Sequence, residues 1–351
     1  MTLNNKALKL IFYLIIFYLI NAAPIVAAQT RIEDSKIPNG VNNGQLVGIG
    51  FYSLFSPPMK YQQFARITKD AGCNVVRVWA YNSYGKYFPW KKNAQGLYDL
   101  KQLEKGYFKM MRRRIAYLDR IGLKVILVIF DESGMRGFPG AWENHAWNSQ
   151  NNIHGFIRAS RQGVPDFYRP EYWPIQRRYI DALWEMVGKN CKNALLFEVT
   201  NEGSAGWQWE ERVIAYLRAK GALHIVSSST VDRERIIPLV DIYSFHGISL
   251  AEQVKDSYQG KKYMWSSDGI MRGSSNIIQF KGKPHYGYYP TAEEVYELAA
   301  KVLQIGGHLE FNLSGRLEKN KGLYDDFLLN LLRSISRAAK ETHAGFKKQK
   351  Q

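Results

Sequence analysis

Acidic residues that close apolar runs are the side chains of this sequence best suited to chemistry. In Leu195-Leu196-Phe197-Glu198-Val199-Thr200-Asn201-Glu202, strand alternation puts Glu198, Thr200 and Glu202 on one face, with Glu202 at the end. A carboxylate deep inside a strand is costly unless paired or hydrogen-bonded, so Glu198 needs a partner. Glu202, at the strand end, is placed to meet a substrate. A second apolar run, 262–268, ends in Asp268. Two carboxylates at strand ends can act as an acid/base pair when one keeps its proton and the other stays ionised. Burial or a nearby carboxylate raises the first. Asn201, beside Glu202, has an amide able to hold a hydroxyl. Glu310 is a fallback second carboxylate if its side faces inward, and Glu132 a weaker one.

Other chemistries have thinner support. None of the histidines, at 145, 154, 224, 246, 285, 308 and 343, sits in an HxH or HExxH pattern, so no metal and no cofactor is expected. No serine lies in a nucleophile elbow. Cys73 and Cys191 each precede a strand, two strand spacings apart, and are expected as free buried thiols.

The elements that must position these residues repeat one alternation. Strand-like runs occur at 46–52, 74–80, 124–130, 193–201, 223–228, 240–246, 262–268 and 308–313. Several are apolar on both faces, as buried parallel strands are. Amphipathic stretches lie between them, at 60–71, 103–121, 171–188, 207–220, 250–258, 291–305 and 323–340, with a short link at 231–237. Glycines 72, 122, 188, 221 and 306 follow helices, as C-caps do. Eight strands and eight connections imply an α/β fold, a single-domain (β/α)8 TIM barrel. The rival is a doubly wound open sheet, which the count of eight and the lack of a glycine-rich loop after the first strand disfavour.

A barrel places chemistry at the C-terminal ends of its strands. The long loops after the second, third and seventh strands fall on that face and are rich in aromatics, whose exposed faces suit the apolar faces of sugar rings. Trp79, Trp142, Trp147, Trp207 and Trp265 are candidate sugar platforms, with core packing as the alternative for each.

The Leu195–Glu202 segment resembles the acid/base signature of glycoside hydrolase clan A, most like family 5 (cellulase-type). Every position matches, and the next residue, usually Pro or Val, is Gly203 here. The resemblance implies a barrel, hydrolysis of O-glycosidic bonds and Glu202 as acid/base. It also implies that Arg77, in the run 74–80, supports the nucleophile carboxylate, and it matches His246 to the strand-six histidine. Four departures stand beside it. Ile248 replaces a tyrosine, Asp131-Glu132-Ser133 lacks the strand-three histidine, Glu310-Phe311-Asn312 lacks the strand-eight tryptophan, and Asp268 replaces the strand-seven Glu. An Asp carboxylate is retracted by roughly 1–1.5 Å, towards the wider separation of an inverting pair. Asp268 is therefore a nucleophile on a shifted strand, a base in an inverting variant, or the mark of a site that binds sugar without turnover.

Composition sets the context. With 351 residues, 46% hydrophobic, the chain is neither disordered nor collagen-like. A net charge of +17 attracts anions, an acidic glycan among them. Lys6 and Lys9 precede an apolar run, 10–20, and a small-residue exit at 26–28, the pattern of a signal peptide over residues 1–28. The rival is a retained membrane anchor, the one route to a membrane partner. Export argues against nucleic acid and implies a secreted protein or one of the periplasm or cell envelope. A lead-in, 29–44, the barrel, 45–343, and a basic tail, 344–351, follow. The expected partner is a carbohydrate, cleaved by a retaining two-carboxylate mechanism; the rival is an inactive carbohydrate-binding barrel.

Overall fold

Short runs of Val, Ile, Leu and Phe form the strands because both of their faces are covered. The computed structural model describes residues 44–83, 87–135, 141–156, 166–204, 206–246, 262–266, 291–313, 317 and 320–349. The strands in chain order are β1 (Val47–Phe51), β2 (Val75–Trp79), β3 (Trp90–Lys92), β4 (Tyr98–Leu103), β5 (Lys124–Asp131), β6 (Leu195–Asn201), β7 (Ile225–Ser227), β8 (Ile242–His246), β9 (Lys262–Ser266) and β10 (His308–Asn312). All but β3 and β4 close into a parallel barrel, ordered β1-β10-β9-β8-β7-β6-β5-β2, with β1 paired to both β10 and β2. The expected (β/α)8 fold is present, each barrel strand falling within its expected run except β5, which extends one residue further to Asp131.

Helices α1 (Tyr61–Asp70), α2 (Lys105–Arg120), α3 (Glu132–Met135), α4 (Trp173–Leu183), α5 (Lys189–Cys191), α6 (Trp207–Lys220), α7 (Arg233–Ile236), α8 (Ala292–Gln304) and α9 (Asp326–Gln349) lie between and after the strands. The helix expected at 250–258 lies outside the described residues. Thr291 and Glu294 make a reciprocal capping box that starts α8. Gly72, Gly122, Gly221 and Gly306 have the left-handed backbone of helix ends.

Four expectations need correction. Gly188 is no cap: its φ is −57° and the helical path continues through it as a π turn, Trp184–Gly188, into α5. Glycine is needed there for space, since a Cβ would stand 2.7 Å from the Trp184 ring and 2.9 Å from Phe197. Part of the loop after β2 is a hairpin, β3 against β4, turned by Asn93, whose Oδ1 accepts the N–H groups of Gln95 and Leu97 at 3.0 Å. Its second strand takes Leu103, so α2 starts later than expected, with Glu104 as N-cap. Finally, α9 runs on to Gln349, through most of the segment read as a basic tail, because no helix breaker precedes Gly345 and lysines suit a helix C-terminus.

Apolar side chains facing outward from the strands pack against the helices as one core, and both cysteines are buried and free. A buried arginine shapes the rim: Arg114 of α2 reaches the loop after β1, donating to the carbonyls of Leu54, Ser56 and Pro57.

Candidate active site

Charge, unusually, lies inside the barrel. Arg77 of β2, Glu198 of β6 and Glu310 of β10 are each 0% exposed and point inward. They come from the second, fourth and eighth strands, the alternate-strand set that fills one layer of such a barrel. Arg77 donates from Nε and Nη2 to the two oxygens of Glu198, both at 2.7 Å, which is a two-pronged grip. Its Nη1 stands 3.9 Å from Glu310, which also accepts the Ser266 hydroxyl. Gly50 makes this possible, since a Cβ there would lie 2.1 Å from Glu310 Oε1. Glu198 thus has the partner its burial demanded, and the Ser228 hydroxyl adds a bond at 2.8 Å.

One level higher, alternation fails at the end of β6. Asn201, expected on the face opposite Glu198, turns in so that its Oδ1 accepts from Arg77 Nη2 at 2.7 Å. Its Nδ2 donates to Asp131, which ends β5, at 3.3 Å. Glu202 then takes a left-handed backbone, φ 54°, which a side chain with a Cβ adopts only at some cost. Its N–H donates to Ser228 Oγ at 3.0 Å and its side chain is partly exposed, unlike the seven fully buried residues before it. A protein-held Asn beneath a strained, solvent-reaching Glu is an arrangement for presenting a carboxyl at a strand end.

The turn after Glu202 explains the odd residue in the signature. A Cβ at Gly203 would stand 2.6 Å from both Glu210 Oε1 and Thr200 Cγ2, so the usual Pro or Val does not fit. Glu210 is buried on α6, accepts the Ser227 hydroxyl at 2.8 Å, and has its carboxyl pushed up to about 7. Burial is the main cause, and the charges of Glu132 and Glu198 add to it against the Ser227 and Ser229 hydroxyls.

Residues 40–275 match the family Cellulase (glycosyl hydrolase family 5), most of the barrel and more than half of the chain. The chain belongs to glycoside hydrolase family 5. No curated protein sequence matches it. Solved structures of the same fold include a mutant of a family 5 mannosidase from Rhizomucor miehei, 11% identical, TM-score 0.57, covering 87% of this chain and 95% of that one. A Bacteroidetes-affiliated GH5 cellulase linked with a polysaccharide utilization locus is 11% identical, TM-score 0.58, over 88% and 94%. The hyperthermostable endo-1,4-beta-D-mannanase from Thermotoga petrophila is 14% identical, TM-score 0.56, over 85% and 99%.

In this family 5 glycosidase the sequence candidates divide. Arg77, Asn201 and Glu202 come together as described, and Glu310 faces inward but is sealed between Arg77, Ser266 and Gly50. Asp268 lies outside the described residues. His246 ends β8 opposite Ser266, and its side chain is also outside the description.

The tryptophan platforms need correction. Trp79 stacks on Tyr52 at 3.7 Å, with the Arg77 guanidinium 4.4 Å over its ring. Trp147 is edge-on to Trp90 and Phe167, and Trp265 faces out of the barrel onto Phe311. All three are 0% exposed, and Trp142 is 5% exposed against His145. Trp207 is partly exposed, with Arg235 over its ring at 4.7 Å. Residue type and loop position show that a ring is available, but neighbours decide whether its face is open.

Sequence reasoning missed Ser228, Glu210 and the bond from Ser204 to Glu132. A signal existed for two of these. Four hydroxyl residues, Ser227 to Thr230, end β7 and follow it where apolar or turn residues are usual, and Glu210 falls on the apolar stripe of α6 with Val213, Ile214 and Leu217. Among the described residues no cluster of three or more His, Cys, Asp or Glu could hold a metal.

Proposed function

We propose that this family 5 chain is an exported, retaining glycosidase that cleaves O-glycosidic bonds within a poly- or oligosaccharide, with Glu202 as acid/base and Asp268 as second carboxylate. The observation that carries the reading is Glu202 itself. It ends the fourth barrel strand in a strained backbone, directly after an Asn held by Arg77 and Asp131. In the forward step Glu202 would protonate the leaving oxygen while Asp268 attacks the anomeric carbon. Glu202, then a carboxylate, would take a proton from the water that releases the sugar. Two steps through a covalent intermediate return the starting anomer. Retaining pairs stand about 5–5.5 Å apart, so the shorter Asp requires its strand end to lie closer to β6 than a Glu would.

Export rests on the basic, apolar and small-residue order of residues 1–28. The +17 charge favours an acidic glycan, and the mannosidase, cellulase and mannanase names among similar structures favour neutral β-glycans. Residues 29–351 should therefore be incubated with both classes while new reducing ends are counted. Turnover in the native chain that disappears in Glu202→Gln establishes the reading. The product anomer by NMR then separates retention from inversion. Glycan binding without turnover, equal in both proteins, would support the second reading, an inactive carbohydrate-binding barrel, which the Glu-to-Asp change at position 268 motivates.

A further inference from the structure

The turn formed by residues 202–204 is gripped from two sides. On the β7 side, the Ser228 hydroxyl accepts the Glu202 N–H, while the N–H and hydroxyl of Thr230 both donate to the Gly203 carbonyl, at 2.7 and 2.9 Å. On the β5 side stands Glu132, the first residue of α3 and 0% exposed. Its Oε2 accepts the Ser204 N–H at 2.6 Å and its Oε1 accepts the Ser204 hydroxyl. The β7 grip fixes residues 202 and 203, and only the Glu132 grip fixes 204 among the described contacts.

We propose that Glu132 is a positioning residue for Glu202. Its carboxylate fixes Ser204 through two bonds and so sets the direction in which Glu202 leaves the end of β6. The proposal rests on Glu202 being the acid/base. A carboxylate suits the task because both groups of Ser204 are donors, and only an ionised carboxyl offers two acceptor oxygens and no proton. Bonds to a charged acceptor are also the stronger kind, and here the acceptor is fully buried while Ser204 reaches it from the exposed side of the turn. Reacting groups are sensitive to placement: an error of about 1 Å costs on the order of 100-fold in rate. A left-handed residue between a rigid strand and a turn has no stiffness of its own to prevent that error. The carboxylate thus occupies the end of the third strand, where the family histidine is missing, and acts on the chemistry through the backbone.

The test compares the native enzyme with Glu132→Leu, Glu132→Gln and Glu202→Gln on the glycan that the native enzyme cleaves. Leu fills the volume and accepts nothing, while Gln keeps one acceptor for the Ser204 N–H. The expected result is a kcat lower by roughly 30-fold or more in Glu132→Leu, with KM within about twofold, and recovery to within about fivefold of native in Glu132→Gln. Hydrogen exchange gives a readout independent of turnover: the Ser204 amide should exchange at least about tenfold faster in Glu132→Leu while the β6 amides keep their protection. A kcat within about threefold of native would overturn the proposal, as would a loss of protection shared equally with β6. Should Glu132→Leu not fold, Glu132→Gln joined to Ser204→Ala replaces it. There a kcat lower by about tenfold supports the proposal and an unchanged kcat overturns it. If the native chain turns over no glycan, the glycosidase reading fails by itself. The exchange arm then still decides, because an unchanged Ser204 amide overturns the hold of Glu132 on the turn.

Discussion

Arg77 and Glu198 face each other across β5, the strand between them, and meet through two parallel bonds of 2.7 Å with neither side chain in contact with water. A buried ion pair of this kind adds little over well-packed apolar side chains, yet its removal by halves is severe. Arg77→Met leaves Glu198 and Glu310 without their shared cation. It is expected to cost about 3–5 kcal/mol in urea unfolding. Arg77→Met with Glu198→Met should recover a large part of that loss. A single variant as stable as the native chain would show that the pair does not carry the interior.

The left-handed backbone at Glu202 separates stability from activity. Glycine meets no Cβ penalty there, so Glu202→Gly is expected to raise stability by roughly 0.5–1 kcal/mol by thermal or urea unfolding. The same variant should lose turnover by about 100-fold or more, the scale of a missing general acid. Lower stability in Glu202→Gly would mean that the side chain makes contacts that outweigh the strain.

Gly50 is expected to be intolerant of a single methyl group. Gly50→Ala places a Cβ where Glu310 Oε1 stands and 3.3 Å from the backbone of Asn312. A destabilisation of roughly 1–3 kcal/mol is expected. Adding Glu310→Ala to Gly50→Ala should remove the clash, so the double-mutant cycle should show a coupling of at least about 0.5 kcal/mol. Simple additivity would place the strain elsewhere.

Glu210 links stability to pH. Its carboxyl sits at about 7 in the folded chain, above its ordinary value of 4.5. Between those values the folded chain binds the proton more tightly than the unfolded one, so the contribution of Glu210 to stability falls as pH rises from 4.5 to 7. Glu210→Gln cannot ionise. Its melting temperature relative to the native chain should therefore be higher at pH 8 than at pH 5. A difference independent of pH would show that Glu210 is ionised throughout.

His145 works in the opposite direction. Burial among Tyr81, Phe88 and Trp142 lowers its imidazole from 6.5 to about 3, so it is held neutral. The unfolded chain takes up a proton that the folded chain refuses, and stability falls as pH drops from 6.5 towards 3. His145→Gln should flatten that part of the acid profile in urea titrations, and an unaltered slope between pH 6 and 4 would count against it.

The barrel was legible because its strands are buried on both faces, and runs such as Val125 to Phe130 leave no polar residue to suggest a solvent face. The Asn201–Glu202 pair was legible because its spacing is constrained by chemistry. What did not show was which partner each group finds. Arg77 reads as a cation near the reacting carboxylates, yet its described bonds go to Glu198 and Asn201, because a strand that twists at its end can bring i and i+3 to one side. The open or covered state of Trp79 and Trp147 depends on rings from other loops, Tyr52, Trp90 and Phe167, whose approach no local pattern encodes. Gly188 mimics a cap in sequence, while its actual constraint is the Trp184 ring one turn away.

The hairpin β3–β4 is sewn to the loop after β5. Tyr98 donates its N–H to the carbonyl of Asn151 at 2.7 Å, and its own carbonyl accepts the N–H of Ile153 at 3.0 Å, while His154 reaches Asp99 at 2.9 Å. Two loops far apart in the chain therefore share one seam above the second and third strands. For protein engineering they form a single exchangeable cassette: a loop transplanted from a relative without its mate leaves the seam's amides facing a surface that was never shaped for them.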